Sequence, residues 1–178
     1  MRRIVFFLVV LVGLATPAAA LAVKDGPNDG TLVVKNATAP SDGPDKTAVV
    51  RLTITGSVIG QVTGQSGRII IDGGAKSPAP EVTGAGAPHD VKASDTAQAW
   101  TGDVDGFKFR AVGGTYTIVI YGSGVSLVAI GTGSVVLTGT PDSATDGRYS
   151  LNGDDFKSLP GVATKPLVIG TVGTSSNA

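Results

Sequence analysis

The sequence predicts an all-β protein: an antiparallel β-sandwich or barrel of about eight strands, with a parallel β-helix as the alternative. Three observations carry this. Beyond residue 22, no stretch repeats apolar residues at i, i+3, i+4 and i+7 over a helical length. Short β-branched runs alternate apolar and polar residues between glycines. Finally, 26 of the 178 residues are Gly, about twice ordinary usage, as expected of a chain with many tight turns.

Taken in order, the first strand runs over Thr31–Lys35. Val49–Thr55 follows, with Val50, Leu52 and Ile54 on one face and Arg51, Thr53 and Thr55 on the other. Val58–Thr63 and Arg68–Asp72 complete the first half. Phe107–Val112 sets Phe107, Phe109 and Ala111 against Lys108 and Arg110, and Thr115–Tyr121 sets Tyr116, Ile118 and Ile120 against Thr117, Val119 and Tyr121. Val125–Ile130 and Ser134–Thr138 follow. Such alternation means one buried and one solvated face, as in antiparallel sheets.

Residues 51–73 align without gaps on residues 117–139, an offset of 66, matching Gly56 with Gly122, Gly67 with Gly133 and Gly73 with Gly139. Leu52 then meets Ile118 and Ile54 meets Ile120. The expectation is two four-strand units, 30–73 and 106–139, with turns at Gly56-Ser57 and Gly122-Ser123 and a two-residue hairpin at Gly113-Gly114. A long loop, 74–105, joins them. Hairpins are preferred over a β-helix because the Gly-rich turns are too short for crossovers. Tyr149, Leu151 and Phe156 are expected to dock the polar segment 142–159 on the sandwich, with Asn152-Gly153 as its turn. Residues 161–178 form a tail in which Leu167-Val168-Ile169 adds an edge strand.

Residues 1–22 read as a secretory signal peptide: Arg2-Arg3, the apolar run Ile4–Leu14, and an Ala20-Leu21-Ala22 cleavage site. A linker, 23–29, then leads to a single β domain over 30–160. The sequence carries 14 basic and 14 acidic residues; without Arg2 and Arg3 the balance is −2. The expected localisation is secreted or in a cell-envelope compartment, with no membrane span after cleavage.

Composition excludes several chemistries. With no Cys there is no disulfide, thiolate metal site or thiol nucleophile. Balanced charge gives no basic field for nucleic acid. The single imidazole, His89, stands beside Asp90, which could orient a base; an exposed loop histidine is the competing reading. No G-x-S-x-G occurs. Glu81 is the only Glu, so a glycosidase pair would need Asp; Asp103 and Asp105 would share a face if extended. Calcium could be held by loop oxygens around Asp25, Asn28 and Asp29, or Asn152, Asp154 and Asp155, but the first loop lacks the regular odd-position oxygens. We therefore expect no catalytic residue, no metal site and no cofactor.

A ligand would be met by Trp100 and Tyr121, the aromatic platform of a sugar-binding surface, with Asp103 and Asp105 nearby; Trp100 covering one end of the core is the alternative. The run Phe107–Tyr116, with Gly113-Gly114 inside it, continues through Ile118, Ile120, Gly122, Gly124, Val125 and Leu127 to Gly131 and Gly133. Together with Tyr149-Ser-Leu-Asn152-Gly153, it resembles a group of uncharacterised exported bacterial all-β proteins over roughly residues 30–160. The resemblance implies a stable fold and transfers no activity. The expected function is an exported, non-enzymatic interaction module with a protein or glycan partner. The alternatives are a small-ligand or carbohydrate-binding module and a self-assembling structural protein.

Overall fold

The structure, a computed structural model, describes residues 26, 28–40, 47–92, 94–140 and 147–171. The signal-peptide reading of residues 1–22 and the end of the tail, 172–178, lie outside them. The described residues form eleven strands and no helix: β1 (Gly30–Ala37), β2 (Val50–Val62), β3 (Arg68–Asp72), β4 (Glu81–Thr83), β5 (His89–Asp90), β6 (Ala97–Thr101), β7 (Phe107–Tyr121), β8 (Val125–Leu137), β9 (Arg148–Leu151), β10 (Lys157–Ser158) and β11 (Leu167–Ile169). Among these residues no helix is long and apolar enough to cross a membrane.

All strands join one antiparallel sheet in the order β10-β9-β1-β8-β2-β7-β3-β6-β5, with β11 on β8 and β4 on β7. The sheet is not closed. The antiparallel sandwich class expected from the alternation is the one observed, and no parallel pairing supports a β-helix. The strand count is eleven rather than about eight: three expected pairs merge into the single strands β2, β7 and β8, the 74–105 loop contains β4, β5 and β6, and the C-terminal segments contribute β9, β10 and β11.

Strands β2, β7 and β8 form the spine. β2 is paired along its whole length with β7 on one side and β8 on the other. Midway, Gly56 lies opposite both Gly114 and Gly131. Beyond this glycine line the spine changes neighbours. On one side it carries β1 and β4, on the other β3 and β11. Residues of one face are buried on both sides of the line: Val50, Leu52, Ile54, Val58 and Val62 in β2. No helix lies over that face, so the sheet covers itself by bending at the glycines. One cluster joins Phe107, Phe109, Leu127 and Leu32 to Ile69, Ile71, Trp100, Tyr116, Ile118 and Ile120.

Two expected turns are therefore corrected. Gly56-Ser57 is the middle of a continuous strand, and Gly113-Gly114 is not a hairpin but a β-bulge within β7. The register passes from Gly56↔Gly114 to Ser57↔Val112, leaving Gly113 as the extra residue, at φ +71°. An L side chain disfavours that conformation and glycine accepts it. The extra residue shifts the side-chain phase, so odd positions face inward from Phe107 to Ala111 and even positions from Tyr116 to Ile120. Likewise Gly131 and Gly133 lie inside β8, whereas Gly122–Gly124 is a true turn. The segments related by the 66-residue offset thus follow different backbone paths. Gly56 sits at a mid-strand bend, and its match Gly122 sits in a turn.

The C-terminal expectations fit the structure except for Phe156, which lines the outer-face groove under Lys35 instead of packing against the core. Asn152 and Gly153 both have positive φ, 55° and 86°, and the Asp154 amide donates to the Leu151 carbonyl, as in a tight turn. Tyr149 and Leu151 pack against the core, and Leu167–Ile169 is an edge strand on β8.

Candidate functional site

The residues singled out for binding do not assemble. Trp100 lies opposite Ile69, which lies opposite Ile120, so its indole is on the core face and only 6% exposed. Tyr121 lies opposite Arg68, one position out of phase with Ile120, and therefore faces outward; the Arg68 guanidinium stands 6.0 Å from its ring centre. The two aromatics are on opposite faces of the sheet. Asp103 and Asp105 are not in an extended strand. They lie exposed in the tight turn closed by the Gly106 amide donating to the Asp103 carbonyl, 3.1 Å. His89 is exposed on β5, and Asp90 follows it in the same strand, where neighbouring side chains point to opposite faces.

The calcium candidates come closer. Asn28, Asp29 and Asn152 border one shallow depression of about 320 Å³ with Gly170 and Thr171. The two asparagine side-chain oxygens are already used: Asn152 Oδ1 accepts from the Gly170 amide at 2.9 Å, and Asn28 Oδ1 accepts from the Thr171 hydroxyl at 3.2 Å. Asp154 pairs with Lys157 at 3.3 Å, and Asp25 lies outside the described residues. Among the described residues no three acidic or imidazole groups cluster as a metal site.

The site that does stand out was not foreseen. It lies on the outer face of β1, β8, β2 and β7, on the Phe107 side of the glycine line. A groove of about 840 Å³ runs there between β4 and the β9–β10 connection. Its floor is one cross-strand row in register: Val33 opposite Val128, Val128 opposite Ile59, Ile59 opposite Arg110, and Arg110 opposite Glu81. Ile59 is 53% exposed, while Val33 and Val128 are half-buried. Phe156 forms the far wall, its ring under the Lys35 ammonium at 4.2 Å and its carbonyl accepting from Arg148 at 2.8 Å.

What makes this floor distinctive is the same face of the same strands beyond the glycine line. There the outward residues next to the line are Thr53 and Thr55 on β2, Thr115 and Thr117 on β7, and Thr132 and Ser134 on β8, all in register, followed by Arg51 between the half-buried Val119 and Val136. Thr55 and Thr115 share a hydroxyl–hydroxyl hydrogen bond of 2.9 Å. A solvated β-face carries such hydroxyls routinely; the apolar row at the other end of the strands departs from that pattern. The sequence signal was present in Ile59 and Val128, which break the alternation of their strands on the polar face.

Polar groups rim the groove. Lys108 and Arg110 stand at the β7 side, with Gln61, Thr83 and Glu81. Arg110 and Glu81 approach to 3.9 Å, both largely exposed. Comparison with protein-family models, curated proteins and solved structures finds no match for this chain.

Proposed function

We propose that this protein is an exported, non-enzymatic binding module whose working surface is the groove over Val33, Val128 and Ile59. One observation carries the reading: an apolar row across β1, β8 and β2 lies partly exposed in a groove, with Ile59 at its centre 53% exposed, where the same strands just beyond the glycine line carry hydroxyls. Concave, mostly apolar surfaces with a few polar groups at the margin are the usual form of ligand sites. Apolar surface that folding does not bury on a β-face represents affinity held for a partner. The export part of the proposal rests on the composition of residues 1–22.

The groove suits an apolar or amphipathic occupant better than a glycan, since of its two aromatics Phe109 is buried and Phe156 stands at the wall under Lys35. Self-assembly by strand addition has little support, because the strands ending the sheet path, β5 and β10, are two residues each. Short edges offer a poor template for pairing.

The test is binding of a neutral, environment-sensitive apolar dye. Wild-type protein is expected to enhance its fluorescence saturably, and Ile59→Asp is expected to abolish the effect while leaving the circular dichroism spectrum unchanged. A dye that ignores the wild type, or binds Ile59→Asp equally well, overturns the proposal.

A further inference from the structure

Resting on that reading of the groove, we infer that its occupant is an anionic amphiphile: a single unbranched chain along the Val33–Val128–Ile59 row with its acidic head at Lys108 and Arg110. The row crosses four adjacent strands in straight register, from Val33 on β1 to Arg110 on β7. At 4.7–4.9 Å between strands this track is roughly 14 Å, the reach of about a dozen carbons joined by ~1.5 Å bonds. Phe156 continues the apolar wall past Val33. The row is flanked by Gln61 and Ser126 on one side and by Thr31, Ile130 and Ser57 on the other, so its only unbroken apolar run is the one across β1, β8 and β2, which fits a thin chain.

Charge fixes the class of head group. Three cations border the groove, Lys35, Lys108 and Arg110, against one carboxylate, Glu81. Lys35 is engaged with the Phe156 ring. Arg110 and Glu81 are 57% and 73% exposed and 3.9 Å apart, so solvent screens that pair and leaves the guanidinium available. Lys108 makes no ion pair among the described residues. An acidic head at the β7 end therefore meets a free ammonium and a loosely held guanidinium two residues apart on one strand face. A cationic head would meet the same two groups as repulsion.

A second copy of the chain is a poorer occupant. The other large exposed apolar residues away from the groove, Val104, Val112, Val162 and Val168, are scattered over two loops, the β7 bulge and an edge strand and form no complementary ridge.

The experiment is calorimetric titration of the purified protein with three C12 probes below their micellar concentrations: dodecanoate, a neutral dodecyl glycoside and dodecyltrimethylammonium. Dodecanoate is expected to bind at least tenfold tighter than the neutral probe, the cationic probe weakest. Lys108→Glu should lower dodecanoate affinity about five- to tenfold with little effect on the neutral probe. Ile59→Asp should remove binding of all three. Each methylene taken from the carboxylate should weaken binding about three- to fourfold. Equal affinity for neutral and anionic probes, both lost in Ile59→Asp, overturns the head-group inference and leaves the groove standing. So does binding of the neutral dye with no amphiphile bound. Tightest binding of the cationic probe overturns the inference, as does binding that neither variant changes. If neither dye nor amphiphile binds, this inference and the proposed function fall together.

Discussion

Gly56 of β2 and Gly131 of β8 face each other at the bend of the sheet, with φ of +151° and +142°. A Cβ on Gly56 would collide with the Ile130 carbonyl oxygen, and one on Gly131 with the Thr55 carbonyl oxygen. Both backbones occupy a region that side chains rarely enter, and each fills the space where the other's side chain would stand. The bend that lets one face of the sheet cover itself depends on this pair.

Gly56→Ala and Gly131→Ala are therefore expected to cost roughly 3 kcal/mol or more each, from backbone strain and overpacking together. Gly153→Ala has positive φ but no atom within 4 Å of the added carbon. It should cost only about 1–2 kcal/mol. Urea unfolding midpoints compare them; equal losses at all three sites would sink the bend argument.

Asp72 is expected to make stability depend on acid. Its carboxylate accepts from the Thr96 hydroxyl (2.6 Å), the Ser94 hydroxyl (2.7 Å) and the Gly74 amide (3.0 Å), tying Ser94 and Thr96, just before β6, to β3. These bonds, Thr96 first, hold its carboxyl below the usual carboxylate range. A lowered folded value means the stabilisation is complete above the ordinary pKa and disappears as pH falls through the folded one. Asp72→Asn should lose about 1–2 kcal/mol at pH 7. The gap to wild type should close below about pH 4. A gap that is constant with pH would remove the carboxylate from the account.

Tyr116 predicts the opposite limb. It is fully buried, and its hydroxyl faces two carbonyl acceptors, Pro78 at 2.9 Å and Val112 at 3.1 Å. Burial pushes its pKa up, and the carbonyls accept a proton that only the neutral hydroxyl can donate. A raised folded pKa gives stability that is present below the ordinary tyrosine value of about 10 and lost as pH rises above it. Tyr116→Phe should cost about 1–2 kcal/mol at neutral pH. Alkaline denaturation of wild type and variant should converge above about pH 10, and parallel curves would count against the assignment.

Trp100 should behave as a core residue. Its emission is expected to be blue-shifted, poorly quenched by acrylamide and indifferent to added glycans, and Trp100→Ala should cost about 3–5 kcal/mol. Ready quenching, or a saturable response to a glycan, would return it to the surface.

The inward faces were legible because alternation is local. Val50, Leu52 and Ile54, or Phe107, Phe109 and Ala111, declare their side without any knowledge of partners, and all are buried. Even the phase change across Gly113 was visible as two strands of opposite parity. The candidate site was not legible in the same way. Trp100 could be read as platform or as core, and only its pairing with Ile69 decides which.

The sequence by itself determined that this is an antiparallel β protein, which side of each alternating strand faces its core, and that thiol and His-cluster chemistry are excluded. Those properties follow from period-two patterning and composition, which depend on each residue and its near neighbours. The tertiary structure alone decided whether a glycine turns the chain or bends a strand, because that depends on what lies opposite: Gly131 across from Gly56, but a true reversal at Gly122. It alone also assembled Val33, Ile59 and Val128, distant along the chain, into one apolar row, since register between strands brings them together and no local pattern records it.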